Sequence, residues 1–218
     1  KQGGCELPGL PGHVSGNMAG GRAIGSALMI TKDPDTGARN MSYHRLQIKG
    51  PDKTGILLYP RDAWKNYLKY QERNEPMPVA FIIGHHPLIY AAAGTTASYG
   101  EDELEIAGGY LDEPVRLVKC ETVDLEVPAD AEIVLEGYIP PHYREEEGPF
   151  SEFQDYYLAG AGQNPIVEYH CMTRRKDAIF KNLQNGTEME GGVFHKIPIS
   201  ATIYRRLRDV GGGPDLHN

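Results

Sequence analysis

The feature that most restricts the fold is a change of hydrophobic period near residue 115. Beyond it, "VRLVKCETVDLEVP", "AEIVLEGYIPP" and "PIVEYHCMTRRKDAIFKNLQ" alternate apolar and polar positions and are rich in Val, Ile and Thr. Alternation with period two reads as strands with one face buried, here in antiparallel order. Before residue 115 the pattern is mixed. Two strand-like runs flank "DPDTGAR", whose Asp, Pro and Gly predict a hairpin turn, and "TGILLYP" reads as a third strand. "AWKNYLKYQER", residues 63–73, sets Trp64, Tyr67 and Leu68 at helical spacing. "MPVAFIIG" is an apolar strand, and "HHPLIYAAAG" places Pro87 in the first turn of a helix. "SYGEDELEIAGGYL" predicts a further helix opened by Ser98 or Gly100, with acids where the macrodipole favours them. A last helix, "ISATIYRRLRDV", is expected to bury Ile199, Ile203, Tyr204 and Leu207. Strands, an α-rich insertion and more strands predict an α+β chain on an antiparallel barrel or sandwich. The expected division is a Gly- and Pro-rich arm or loop at 1–25, one domain at 26–210 with a helical insertion at about 63–112, and a tail at 211–218.

Composition narrows the function. The chain has 22 Lys and Arg against 30 Asp and Glu, a net charge of -8, with no basic run. That argues against nucleic acid as a partner, because a phosphate backbone is held by clustered cations. No apolar run approaches the roughly 20 residues that span a bilayer. Three widely spaced cysteines, Cys5, Cys120 and Cys171, suit a reducing compartment, so a soluble cytoplasmic protein is expected. GxGxxG, GxxxxGK[ST] and GxSxG are all missing from the sequence, which removes the common dinucleotide, P-loop and hydrolase readings. His85 and His86 are adjacent, so they do not readily face one site, and no HExxH follows.

Three stretches carry candidate chemistry. In "EEEGPFSEF", Glu147 and Glu152 lie five residues apart across a Gly-Pro turn, flanked by Phe150 and Phe153. Burial against aromatic rings raises a carboxyl pKa, whereas a guanidinium beside it lowers it, so such a pair can serve proton transfer; a solvated acidic loop is the plainer reading. In "RNMSYHRLQ", strand alternation sends Asn40, Ser42 and His44 to one face and Arg45 to the other. "GEDELE" offers Glu101, Asp102, Glu103 and Glu105 to a hard cation such as Mg²⁺ or Mn²⁺, or simply forms an acidic first helical turn.

Read in order, "RNMSYHRLQ", "LVKCETVDLEVPADAEIVLEGYI" and "EEEGPFSEFQDYY" resemble the UbiD-type carboxy-lyases, decarboxylases that use prenylated flavin mononucleotide. The resemblance covers roughly residues 25 to 210. It implies a split antiparallel β-barrel of the FMN-binding type with a helical insertion, and reversible, non-oxidative decarboxylation of an unsaturated or aromatic carboxylic acid. Carried over residue by residue, the family's Glu-Arg-Glu network becomes Arg45, Glu147 and Glu152, with Glu152 delivering the proton, Arg45 orienting the carboxylate and Glu147 holding Arg45. The resemblance also implies a divalent ion, usually Mn²⁺ and often with K⁺ beside it, that bridges to the cofactor phosphate through an asparagine, a histidine and a glutamate.

Asn40 matches the first of these ligands and Glu103 the last. The chain departs from the pattern at the histidine, where "GILLYPRDAW" offers Asp62 as an oxygen ligand or Arg61 as a direct phosphate contact. Ser42 resembles the family serine close to the phosphate. The implied partners are a small carboxylic acid and CO₂, a flavin prenyltransferase as cofactor source, and a second copy or a partner subunit in an oligomer. Relative to family members, segments on both sides are missing, so a fragment, a truncated homologue or one subunit is expected. Two other readings stand beside this one: a non-catalytic subunit of a multi-subunit enzyme, and an ordinary FMN-binding split barrel.

Overall fold

The computed structural model describes residues 6–14, 16–151, 156–157, 160–183 and 190–211. In chain order these form β1 (Ala23–Lys32), β2 (Arg39–Ile48), β3 (Lys53–Ile56), α1 (Asp62–Glu72), β4 (Met77–Ile83), α2 (Pro87–Ala93), α3 (Glu103–Leu111), β5 (Leu117–Lys119), β6 (Glu126–Pro128), β7 (Ile133–Ile139), β8 (Arg144–Glu147), β9 (Gly162–Arg174) and α4 (Glu190–Gly211). The main sheet runs β3-β2-β1-β4-β7-β9-β8, and a β3–β9 pairing closes six of its strands into an antiparallel barrel with β8 on the outside of β9. The α+β class and the antiparallel barrel predicted from the sequence are both present.

The central strands are apolar on both faces because both faces are covered. Along β1 and β4, Ile24, Ala27, Met29, Val79, Phe81 and Ile83 point into the barrel, where Tyr67 and Tyr169 join them. Leu28, Ile30, Ala80 and Ile82 point outward under Ile89, Tyr90 and Leu104 of α2 and α3. Two buried faces remove the alternation that a half-exposed strand would display. Closure requires one close backbone approach: a side chain at Gly137 would lie 2.0 Å from the Glu168 carbonyl oxygen, beside the irregularity in the β7–β9 register.

The structure corrects four local expectations. Helix α3 is capped by Asp102, whose carboxylate accepts from Leu104 N at 2.9 Å, rather than by Ser98 or Gly100. β9 ends at Arg174, so "AIFKNLQ" does not continue the strand. The acidic stretch expected as a loop begins as a strand, β8, paired with β9 through Glu147↔Gly162. In α4, Ile199, Ile203, Tyr204 and Leu207 are exposed rather than buried; the stripe has helical spacing but stands open among the described residues. Neither Cys120 nor Cys171 is in a disulfide, and no described helix is long and apolar enough to cross a membrane.

Candidate active site

Strand β2 carries chemistry on both faces. On one face Ser42 Oγ lies 3.3 Å from Asn40 Oδ1 and 3.0 Å from His44 Nε2, and His44 Nδ1 lies 3.1 Å from the Leu57 carbonyl oxygen. Donation by Nδ1 to that carbonyl leaves Nε2 as an acceptor for the Ser42 hydroxyl. Burial pushes the His44 pKa down to about 4, against the opposing effect of the Leu57 hydrogen bond, so the ring is neutral at pH 7.

Glu103 reaches the start of this strand from the first turn of α3. Its Oε1 accepts from Asn40 Nδ2 at 3.1 Å and its Oε2 accepts from Met41 N at 2.7 Å. The residue is only 4% exposed. Burial pushes its pKa up to about 7; the Met41 N–H opposes this, while Asp102 and Asp62 add to the rise. Asp62 opens α1 and borders a narrow cavity together with Asn40, Asn66 and Tyr99. The structure joins Glu103 directly to Asn40, whereas Asp62, paired with Lys65 at 3.0 Å, only borders the same cavity as Asn40. Asn40, Glu103 and Asp62 offer oxygen donors of the kind a hard divalent cation takes, but no cluster of three or more His, Cys, Asp or Glu side chains placed to hold a metal occurs among the described residues. Arg61 precedes α1 and is exposed, and no described side-chain hydrogen bond joins it to this group.

On the other face, Arg45 and Gln47 of β2, with Lys49 just beyond it, grip residues 146–150. Arg45 Nε lies 4.0 Å from Glu147 Oε1, and its guanidinium carbon lies 4.1 Å from the centre of the Phe150 ring. Gln47 Oε1 accepts from Gly148 N at 3.1 Å, and Lys49 Nζ donates to the Glu146 carbonyl. Glu147 is 2% exposed and its Oε2 accepts from Asn164 Nδ2 at 2.6 Å. Burial raises its pKa, while Arg45, Asn164 and Lys49 pull it back down. Gly55 makes room: a side chain there would lie 3.0 Å from Glu147 Cγ. Glu152 and Phe153 lie outside the described residues.

Gln47, Lys49 and Asn164 were not among the residues singled out by the sequence. The first two follow Arg45 at i+2 and i+4, so alternation in β2 was the available signal. Asn164 could be found only through the β8–β9 pairing.

Residues 2–188 match the family model of the UbiD 3-octaprenyl-4-hydroxybenzoate carboxy-lyase Rift-related domain. The chain belongs to the UbiD family. Among curated relatives, it is 33% identical over 214 residues to anhydromevalonate phosphate decarboxylase of Methanothermobacter thermautotrophicus, covering 96% of this chain and 49% of that protein. It is 38% identical over 197 residues to phenolic acid decarboxylase of Bacillus subtilis, covering 88% of this chain and 41% of that one. Among solved structures, an evolved dimeric form of the UbiD-class enzyme HmfF from Pelotomaculum thermopropionicum, in complex with prFMN, superposes with a TM-score of 0.90 at 41% identity, over 94% of this chain and 48% of HmfF. The UbiD chain described here thus spans about half the length of the relatives it matches.

Proposed function

We propose that this UbiD-family chain forms the cofactor-holding part of a decarboxylase that releases CO₂ reversibly from an unsaturated or aromatic carboxylic acid. The observation that carries the reading is the buried Glu147 beside Arg45 and Phe150, on the opposite face of β2 from Asn40 and its partner Glu103. Prenylated FMN, when bound, supplies a sink for the electron pair left as CO₂ departs. Asn40, Glu103 and Asp62 would hold Mn²⁺ at its phosphate, with Ser42 close by. The arrangement gives no argument for or against K⁺.

Arg45 would take the substrate carboxylate through its guanidinium edge. Glu147 holds Arg45 at the correct angle, and Phe150 covers the guanidinium face and excludes water from it. Glu152, five residues on, would pass a proton to the carbon that lost CO₂. The strap from 146 to 150 is fixed by Gln47 and Lys49, so Glu147 stays beside Arg45 without help from the ligand. A flavin-holding subunit without turnover is a second reading, favoured by Asp62 standing where the resemblance implies a histidine.

The test is a panel of unsaturated and aromatic acids assayed for CO₂ release and for exchange with labelled bicarbonate, using protein produced with a flavin prenyltransferase. Release and exchange that both disappear in Arg45→Ala support the decarboxylase. Flavin uptake without either reaction favours the subunit.

A further inference from the structure

Asn40, Ser42 and His44 form a polar row on the inner face of β2. The β1 residues opposite Ser42 and His44 are Met29 and Ala27, both of the inner apolar cluster. Asn40 is 8% exposed and His44 9%, so their polar atoms depend on protein partners. The Ser42 hydroxyl is oversubscribed in this row. It has a single hydrogen and two acceptors in reach, His44 Nε2 at 3.0 Å and Asn40 Oδ1 at 3.3 Å.

The two ends of the row decide which acceptor that hydrogen serves. The Leu57 carbonyl, 3.1 Å from His44 Nδ1, can only accept, so it draws the hydrogen of a neutral ring onto Nδ1. Burial keeps the ring neutral at pH 7. Nε2 is then bare, and among the described residues Ser42 is the one donor that reaches it. At the other end, Glu103 Oε1 accepts from Asn40 Nδ2, which turns Asn40 Oδ1 toward Ser42. The bonds therefore run in one direction on each side, and the shorter contact takes the hydrogen.

We propose that His44 is a positioning residue: by accepting the Ser42 hydrogen, it leaves Asn40 Oδ1 an uncommitted acceptor for a divalent cation. The cation rests on the cofactor-holding reading, whereas the direction of the hydrogen bonds does not. Without an acceptor at position 44, the hydrogen would fall to Asn40 Oδ1, and a cation would have to displace it. The same arrangement changes the part of Ser42. With its hydrogen turned to His44, Ser42 shows lone pairs rather than a donor to a cofactor phosphate.

The experiment takes two measurements on the 218-residue chain. Long-range proton–nitrogen NMR at pH 7, with the His44 signals identified by their loss in His44→Leu, should show a protonated Nδ1 and a bare Nε2. Titration with Mn²⁺ alone, followed by electron paramagnetic resonance, should show affinity reduced by at least about tenfold in His44→Leu, the usual loss when a group that orients a metal ligand is removed. Adding Ser42→Ala to His44→Leu removes the misdirected hydrogen and should recover most of that affinity, whereas a loss caused by packing alone would persist or deepen. A protonated Nε2 in the unmodified chain, full Mn²⁺ affinity in His44→Leu, or no recovery in the double variant would overturn the proposal. The expected tautomer with no Mn²⁺ bound by the unmodified chain counts against the cofactor-holding reading, and with it the cation, while the direction of the hydrogen bonds stands.

Discussion

Arg45 Nε stands 4.0 Å from Glu147 Oε1, close enough for strong electrostatic attraction but longer than a hydrogen bond, with the Phe150 ring packed against the guanidinium. In the proposed decarboxylase, the charge and the planar shape of the Arg45 guanidinium would together seat the substrate carboxylate. Arg45→Lys should keep the charge and lose the planar fork, lowering kcat/KM by about 100-fold or more. Glu147→Gln should act mainly on kcat while leaving flavin content near that of the unmodified protein. Steady-state kinetics with flavin absorbance on both variants checks this, and an unchanged kcat in Glu147→Gln would remove its role.

Asn40 and Glu103 are predicted to act before chemistry, at cofactor retention. Glu103→Gln keeps the shape but removes the carboxylate, so bound Mn²⁺ should fall by at least about tenfold, as is usual when a ligand set is damaged. Asn40→Ala should weaken flavin retention in parallel. Metal analysis of purified protein gives the answer, and full Mn²⁺ occupancy in both variants would contradict the assignment.

The neutral, buried His44 makes a pH prediction with a definite sign. Its folded pKa, about 4, lies below the ordinary value of 6.5. The unfolded chain therefore binds the extra proton more readily between those values, and stability is fully present above pH 6.5 and lost as pH falls toward 4. The loss amounts to as much as about 3 kcal/mol. Denaturant titrations across pH 4–7 should show this slope in the unmodified chain and a much flatter one in His44→Gln.

Asp33 predicts an acid-side effect from the opposite shift. Burial works to raise its pKa, but Lys69 at 2.7 Å, Tyr99 and the Asp35 amide outweigh this and hold it well below the usual carboxylate range. Its stabilisation is present above the unfolded pKa near 4 and is lost as pH falls below that toward the folded value. Asp33→Asn should cost about 1–3 kcal/mol at pH 7 and progressively less as the solution is acidified below pH 4. Equal costs at pH 7 and pH 3 in chemical denaturation would refute it.

How much of this could be read in the sequence depended on whether side chains or backbone carried the information. The β1–β2 hairpin, α1, β4 and β7 were legible because their patterns have one strong period or one continuous apolar run bounded by turns. β8 was not, since Arg144–Glu147 offers no apolar alternation and is held by backbone pairing to β9. The stripe of α4 was legible as a helix but not as an exposed one, because spacing states which residues share a face and not what covers it. At the candidate site, Asn40, Arg45, Glu103 and Glu147 were singled out through motif resemblance. The grip of Gln47 and Lys49 on residues 146–150 depends on contacts across about a hundred positions, which no local pattern encodes.

The central claim is that this chain holds prenylated flavin through the Asn40 and Glu103 group. The most direct measurement is mass spectrometry with metal analysis on protein produced alongside a flavin prenyltransferase, comparing the unmodified chain with Asn40→Ala. The account predicts prenylated FMN and Mn²⁺ in near-equal amounts on the unmodified chain, with both sharply reduced in the variant. Unmodified FMN without metal, or equal loading of the two proteins, would contradict it.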